Sequence, residues 1–371
     1  MSITDILRKI DGTLLFVLFA LAGMGMVAIA SATHANVQDA PDRFFFVLRQ
    51  GIFFLVGFLL AIYSLKYDYR MLMKYTKGIY VANCMMLAAV LFFGTSALGA
   101  QRWFQIGPIT IQPSEFSKLL MIICLAHFFS QHREGFQTWK SLVRPICLLI
   151  PPVALIFLQP DLGTSIIVIA ACMGMLYLAG LSSKIAKRSL LTAVLFAPVA
   201  WFFLLHDYQK KRILVQLSPD IDPYGSGYHV IQSQISIGSG GFIGKGLFEG
   251  TQNQLNFLPE NHTDFIFSVI GEEMGFVGAL FLLFLYFLLL YRTIVISRVS
   301  GDAFGSFIAC GIFSMWLTEI FVNIGMTIRV MPVTGIPLPF ISYGGSALVV
   351  NLLCCGLLMN IYLRKKRQMF N

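Results

Sequence analysis

The sequence contains few charged residues. Only 12% of its 371 residues are Asp, Glu, Lys or Arg, and 57% are hydrophobic, whereas about 25% of the residues in soluble domains are charged. The mean hydropathy is +0.76. Apolar runs of roughly 17 to 25 residues, long enough to cross a bilayer, recur along the chain. This composition excludes a soluble globular protein and predicts an integral membrane protein.

Patterns that indicate cross-links or metal centres are also missing. All seven cysteines fall inside apolar runs, so neither disulfides nor a thiolate metal site is expected. The six histidines show no HxxxH or HExxH spacing, which gives a metal held by protein ligands alone no support. No cofactor is required by the sequence. A Mg²⁺ or Mn²⁺ ion that bridges a carboxylate and a substrate phosphate stays open, because such an ion needs only one or two protein ligands.

The apolar runs predict an all-α membrane protein with about ten transmembrane helices. The predicted spans are 14–32, 44–64, 76–95, 114–130, 145–159, 164–181, 189–206, 265–290, 303–326 and 346–362. Residues 1–371 therefore form a single polytopic membrane domain, with one large extracytoplasmic loop at 207–263. Span 145–159 contains Pro151 and Pro152, so we expect it to be buried where neighbouring helices satisfy the freed backbone groups.

Lysine and arginine lie mostly on one side of these spans. Of the 27 basic residues, 18 fall there, and the positive-inside rule makes that side cytoplasmic, together with both termini. The net charge of +9 then lies largely beside anionic lipid headgroups. We therefore expect a multi-pass protein of the cytoplasmic membrane with membrane lipids, and no nucleic acid, as partners.

Polar residues at the outer mouths of membrane helices are functional candidates, because they are expensive to place there. In "QPSEFSKLL", Glu115 and Lys118 are one helical turn apart, and either a structural ion pair or a fixed cation facing an anionic ligand fits this spacing. In "QPDLGTS", Asp161 suits a helix cap or a site. In the large loop, Lys210 and Arg212 belong to a basic run that is either solvated or binds an anion.

The stretch "LPENHTDFIFSVIGEEMG" concentrates negative charge where the large loop meets an apolar run. Asn261 or Thr263 can cap the helix that follows, and capping would also explain Asp264. Alternatively, a partly desolvated aspartate at this boundary suits a general base, because burial raises its pKa towards the operating pH. Glu260 lies one turn earlier, and we assign the deeper pair to packing or interhelical pairing: Glu272 and Glu273.

The stretch "NIGMTIRVMPVTGIPLPFISYGGSA", residues 323–347, has three prolines in eight positions. It predicts a rigid, non-helical outer loop that folds back over the bundle. The helix before it carries Glu319 and Asn323, two polar residues one turn apart that are candidates for hydrogen bonds between helices. The stretch resembles the signature of the RodA/FtsW/SpoVE family of shape, elongation, division and sporulation proteins. The matching positions are Asn323, Arg329, Pro332, Gly335, Phe340, Ile341, Ser342, Gly344, Gly345 and Ser346.

The resemblance covers the whole chain and is strongest to the elongation members of the family. It implies a peptidoglycan glycosyltransferase in the cytoplasmic (inner) membrane that polymerises lipid II into β-1,4 glycan strands for cell-wall elongation and rod shape, and that releases undecaprenyl pyrophosphate. It also implies a class B penicillin-binding transpeptidase as partner. Asp264 corresponds by position to the family's essential outer-loop aspartate, and Glu115 and Lys118 to a family pair.

In this interpretation Asp264 accepts the proton of the acceptor 4-hydroxyl. Lys118 is our first choice of a cation for the leaving pyrophosphate, followed by Arg212 and then Lys210 or Arg102. The remaining candidates support substrate binding: Glu115, Asp161, Glu260 and Ser342.

Two other classes stay open. A transporter that flips lipid-linked precursor needs polar groups reachable from both faces, yet only Glu319, Glu272 and Glu273 lie deep in the predicted bundle. A scaffold that holds a transpeptidase leaves the outer carboxylates and cations with a structural role only.

Overall fold

The computed structural model describes residues 10–34, 44–97, 100–107, 109–132, 135–203, 205, 207–222 and 225–365. Within these ranges the helices are α1 Gly12–Ala32, α2 Phe45–Leu65, α3 Met71–Phe93, α4 Pro113–Gln131, α5 Trp139–Leu158, α6 Leu162–Leu178, α7 Ser183–Phe203, α8 Asp207–Leu217, α9 Ser226–Ser239, α10 Thr251–Gln254, α11 Ile266–Val299, α12 Ala303–Thr327 and α13 Gly345–Leu363. Three short strands between α3 and α4 form an antiparallel sheet: β1 Thr95–Ala97, β2 Ala100–Ile106 and β3 Ile109–Ile111.

The predicted membrane helices are present. Eight of the described helices are long and apolar enough to span a bilayer, and α6 is a shorter apolar helix. With α4, which carries Glu115 and Lys118, every predicted span coincides with a helix. The all-α membrane fold is therefore confirmed. The predicted cytoplasmic position of the termini concerns residues 1–9 and 366–371, which lie outside the described residues.

The core of the bundle forms around α12 and α13, the two most buried of the eight long apolar helices, together with α4, most of whose residues are also buried. α12 packs against α4, α6 and α11, and α13 packs against α2. Trp316 on α12 is completely buried, and its indole N–H donates to the side-chain oxygen of Asn351 on α13 at 2.7 Å. Such a bond satisfies a donor that no solvent reaches. The apolar side chains of α2, α3 and α7 point largely outward, as expected for a surface that faces lipid.

The prediction that 145–159 is buried in the bundle is wrong. Helix α5 begins six residues earlier, at Trp139, and only one face of it packs inward. Pro145 and Pro152 lie on that face, whereas Pro151 is exposed. The helix therefore lies at the periphery of the bundle, and two of its three prolines pack on the face that contacts α3, α4 and α6.

The large loop at 207–263 is mostly ordered structure and not an irregular connection. It contains α8, α9, α10 and a short 3₁₀ turn, and α9 packs along α11. Its glycine-rich part is also hydrogen-bonded to the backbone of α11: the N–H groups of Lys245 and Gly246 donate to the carbonyls of Glu272 and Glu273 at 3.0 and 3.1 Å. The helix breaks there, at Gly275, whose φ of +62° suits only a residue without a side chain.

Candidate active site

Asp264 lies at the end of the large loop, two residues before α11. The cap of α11 is Phe265, and no side chain caps this helix, so the predicted capping roles of Asn261, Thr263 and Asp264 are wrong. Thr263 instead bonds to Glu260, and Asn261 bonds to Asn253. Among the described residues, the Asp264 carboxylate makes no hydrogen bond and no ion pair, although it is partly buried. Its position therefore has to be set through the backbone.

The backbone around Asp264 is held by the 332–343 loop and the helix before it. The side-chain amide of Asn323 donates to the Asp264 carbonyl at 3.0 Å and to the Ile336 carbonyl at 2.7 Å. The Ser342 hydroxyl donates to the Thr263 carbonyl at 2.7 Å, and the Tyr343 N–H donates to the His262 carbonyl at 2.9 Å. Three successive carbonyls, 262 to 264, are thus fixed by one loop and one helix.

The 332–343 loop has the rigid, non-helical form that its prolines predict. Gly335 has a φ of +74°, and a Cβ built there would lie 3.4 Å from an Asp264 carboxylate oxygen, so the loop backbone passes directly beside the acid. Phe340 is buried and its ring packs 5.7 Å from that of Trp316. On α1, a Cβ at Gly25 would lie 2.6 Å from the Phe340 carbonyl, so only glycine admits the loop this closely.

Two arginines face a cleft beside Asp264. Arg102, from β2, donates to the Gln159 carbonyl at 2.9 Å and also to the Pro160 carbonyl. Arg212, from α8, donates to the Val333 carbonyl at 3.3 Å. The cleft is lined by Arg102, Pro160, Leu162, Gln209, Arg212, Ile213, Pro332, Val333 and Thr334. Backbone carbonyls thus help to hold both arginines at the cleft.

The electrostatics of the cleft favour a base at Asp264. The pKa of Asp264 is raised from 3.8 to about 6: burial contributes most, the negative charge of Glu260 adds to it, and Arg212 and Arg102 act in the opposite direction. A carboxylate with this pKa is still ionised at neutral pH, yet it binds a proton far more readily than an exposed aspartate does. General base catalysis works best with such a group.

Lys118 does not lie in the cleft. Its ammonium is 2.8 Å from Glu115 and 2.6 Å from Glu319, and these three side chains, the buried triad, are at most 5% exposed. The predicted Glu115–Lys118 pair is confirmed. The prediction that Lys118 faces an anionic ligand is wrong for this structure, because two carboxylates already neutralise its charge inside the bundle. Glu319 is its second partner and comes from α12, so the predicted interhelical role of Glu319 is confirmed.

The other predicted site residues have structural surroundings. Asp161 caps α6, as its position predicts: it accepts from the Thr164 N–H at 3.1 Å and from the Ser114 hydroxyl at 3.0 Å. Ser342 also accepts from the Leu338 N–H at 2.8 Å, so it positions the backbone. Lys210 lies 3.9 Å from Asp207 and does not line the cleft. Of the predicted residues, the structure brings Asp264, Arg212 and Arg102 together. The exposed Glu260 is close enough for its negative charge to raise the pKa of Asp264.

The deeper acidic pair holds the glycine-rich part of the large loop. Glu272 accepts from the Lys245 ammonium at 2.6 Å and from the Gln252 N–H at 3.0 Å. Glu273 accepts from the Ser31 hydroxyl at 2.6 Å and from the Phe248 N–H at 3.2 Å. The predicted structural role is confirmed, although most of their partners belong to the loop and not to a neighbouring helix.

Sequence reasoning missed two residues at this site. The Thr334 hydroxyl lines the cleft and has no hydrogen-bond partner in the part of the chain that the structure describes. The His229 ring stacks on that of Phe265 at 5.9 Å and bonds to the backbone of Pro259, so it supports the loop that carries Asp264. Neither has a local sequence signal, because Thr334 comes to the cleft, and His229 to Phe265 and Pro259, only in the folded protein. Over the described residues there is no group of three or more His, Cys, Asp or Glu side chains that could hold a metal.

Comparisons with known proteins agree with this architecture. The sequence model for FtsW, RodA and SpoVE, described as cell cycle proteins, matches residues 12–367. The peptidoglycan glycosyltransferase MrdB of Escherichia coli K12 is 39% identical over 357 residues, which cover 96% of this chain and 94% of that protein.

Solved structures give the same result. One described as a peptidoglycan synthase complex that coordinates polymerization and crosslinking matches with a TM-score of 0.81 and 32% identity over 95% of this chain and 97% of that chain. The rod shape determining protein RodA of Thermus thermophilus matches with a TM-score of 0.70 and 29% identity, covering 95% of this chain and 96% of that chain. The chain belongs to the FtsW/RodA/SpoVE family.

Proposed function

We infer that this membrane protein is a peptidoglycan glycosyltransferase of cell-wall elongation, and that its substrate is lipid II. The observation that carries this proposal is that Asp264, whose carboxylate has no hydrogen-bond partner among the described residues, lies within electrostatic reach of two arginines that line the neighbouring cleft. An acid with a raised pKa and two fixed cations are the groups that transfer of a sugar from a pyrophosphate donor requires. Its relatives bear the name of this activity.

In the proposed reaction, Asp264 accepts the proton of the acceptor's GlcNAc 4-hydroxyl as the hydroxyl oxygen attacks the anomeric carbon of the donor. A new C–O bond forms on one face of that carbon, and the bond to the pyrophosphate oxygen breaks on the other. The electron pair stays on undecaprenyl pyrophosphate. Arg102 and Arg212 stabilise the charge that grows there. Attack from the opposite face inverts the α-linked donor into a β-1,4 glycan.

The distribution of basic residues sets the side of the membrane on which we propose the active site to lie. Most basic residues lie at the end of the bundle opposite Asp264, among them Lys66, Arg70, Lys184, Arg188 and Arg364. The positive-inside rule then puts Asp264 on the extracytoplasmic face of the cytoplasmic membrane and both termini in the cytoplasm. A class B penicillin-binding transpeptidase is the proposed partner, in line with the synthase complex that this chain resembles.

A Mg²⁺ or Mn²⁺ ion would be held by Asp264 together with the substrate phosphates, since such ions often bind one or two protein carboxylates. The ion would shield phosphate charge, a role that Arg102 and Arg212 already fill without it. Chelation with EDTA during polymerisation tests its contribution. A flippase gains no support, because the deepest charged groups pair with one another in the buried triad.

The decisive experiment measures glycan polymerisation from lipid II by the purified protein, alone and with its transpeptidase partner. Asp264→Asn should slow the reaction by roughly 10²- to 10⁴-fold, the usual contribution of a general base. Asp220→Asn is the matched control, because Asp220 is an exposed residue of the same loop. Unchanged activity of a folded Asp264→Asn protein would remove Asp264 from the mechanism. Translocation of lipid II in liposomes without polymerisation would establish the flippase instead.

The neighbouring basic residues supply a second test. Arg212 lines the cleft, whereas Lys211 points away to an ion pair with Asp222 at 3.0 Å. Arg212→Gln should therefore lower the polymerisation rate, while Lys211→Gln, with the same change in charge, should leave it nearly unchanged. Equal effects of the two substitutions would mean that the net charge of the loop matters and the cleft does not.

A further inference from the structure

The buried triad contains more negative than positive charge. Lys118 on α4 contributes one positive charge, and Glu115 on α4 and Glu319 on α12 each contribute a negative charge when ionised. The two N···O distances, 2.8 and 2.6 Å, show that both carboxyl groups use the same ammonium. No more than 5% of any of the three side chains is exposed. A net charge of −1 would therefore be enclosed in an apolar bundle, where unpaired charge is strongly disfavoured.

The neighbouring helices offer no second positive charge. Tyr286 from α11 and Cys354 from α13 are the titratable side chains that face Glu319 from those helices, and neither is a cation. Helix α6 contains no charged residue at all. The imbalance has to be removed within the triad itself.

The two oxygens of the Glu319 carboxyl group have different surroundings, and the difference indicates where the excess negative charge is neutralised. Its Oε1 accepts from Lys118, whereas its Oε2 is buried without any hydrogen-bond partner among the described residues. Oε2 of Glu115 makes no hydrogen bond either, but it lies 2.8 Å from the Lys118 ammonium and is paired with that charge. A buried anionic oxygen that lacks a donor is far more costly than a neutral hydroxyl at the same place. We propose that the triad is a proton-binding site: at neutral pH it holds one exchangeable proton, carried on Oε2 of Glu319.

A metal cation fits this place less well than a proton. Hard cations take about six oxygen ligands, but Oε2 of Glu319 has no hydrogen-bond partner among the described residues, and the Lys118 ammonium repels any added cation. A proton needs no coordination shell. It also leaves the Glu115–Lys118 pair ionised and neutral overall.

Infrared difference spectroscopy of the purified protein in lipid nanodiscs tests the proposal. At neutral pH the wild type should show the C=O stretch of a protonated carboxylic acid that is lost in Glu319→Gln. It should also be lost in Glu115→Gln, which removes the charge excess and also covers the case in which Glu319→Gln fails to fold. Glu249→Gln, at an exposed position, should leave the band intact. A difference spectrum of wild type and Glu319→Gln without this band would overturn the proposal.

Unfolding titrations at several pH values give an independent test. If the native triad holds a proton that the unfolded chain has released, stability falls as pH rises through neutrality, because the native state binds more protons. The unfolding constant of the wild type should then rise by about tenfold more per pH unit than that of Glu319→Gln. Equal pH slopes would show that the triad exchanges no proton. A dependence on Na⁺ or K⁺ at fixed pH would assign the site to a metal cation and overturn the proposal.

Discussion

Replacing Asp264 by asparagine should stabilise the fold, even though it removes the proposed base. In the native structure burial raises the pKa of Asp264 from 3.8 to about 6. The native state therefore binds the proton more tightly than the unfolded chain does. The stability that this carboxyl contributes is fully present below about pH 4, falls as pH rises towards 6 and stays low above it.

The size of the effect follows from the pKa. Each unit corresponds to about 1.4 kcal/mol, so the ionised carboxylate costs up to roughly 3 kcal/mol at neutral pH, and less in so far as water reaches it. Asp264→Asn has nearly the same shape and no charge. We expect it to raise the free energy of unfolding at neutral pH by about 1 to 3 kcal/mol.

The assay is unfolding of both proteins in the same detergent, followed over a range of pH. The curves for wild type and Asp264→Asn should coincide below about pH 4, diverge as pH rises from about 4 to 6, and stay separated above pH 6. Exposed Asp220→Asn should follow the wild type throughout. An Asp264→Asn protein that is folded but no more stable than the wild type at neutral pH would refute the argument that the ionised Asp264 carboxylate destabilises the native state.

Three further predictions use the same geometry. Because the charge of Glu260 raises the pKa of Asp264, Glu260→Gln should shift the acidic limb of the pH–rate profile to lower pH, and an unmoved limb would exclude this coupling. Asn323→Ala leaves the buried carbonyls of Asp264 and Ile336 unpaired; it should destabilise the fold by about 1 to 3 kcal/mol and lower kcat more than it raises KM. Lys245→Ala removes the positive charge that pairs with Glu272, whose side chain is completely buried, and should lower the free energy of unfolding by roughly 3 to 5 kcal/mol. An unfolding titration measures this, and Lys211→Ala, at an exposed ion pair, should lower it by at most about 1 kcal/mol.

The membrane helices could be predicted because one-dimensional hydropathy reports the bilayer directly. Every predicted span lies on a helix, including the short α6. The burial of α5 was predicted wrongly because a proline says only that a backbone group needs a partner, and the helix satisfies this need along one face at the periphery. Hydropathy gives the length of a span but not its neighbours.

The site shows where sequence reasoning ends. Asp264 stood out because charge is rare in this chain, and the 332–343 loop because prolines and glycines constrain a backbone strongly. Lys118 was misjudged because its spacing to Glu115 shows only one partner, whereas Glu319 comes from a helix about 200 residues later, a long-range contact no local pattern reveals. Arg102 and Arg212 meet for the same reason: strand β2 and helix α8 converge only in the folded protein.

The way in which Asp264 is held explains how it can be both fixed and reactive. Hydrogen bonds to a carboxylate stabilise its charged form and lower its pKa, so an acid positioned through its own oxygens would be a weaker base. Here Asn323 and Ser342 bind the carbonyls of residues 263 and 264, not the carboxylate. The backbone carries the positional constraint and the side chain keeps its basicity. Three residues of the family signature, Asn323, Gly335 and Ser342, thus contact or position the backbone of the segment that carries Asp264, the proposed base.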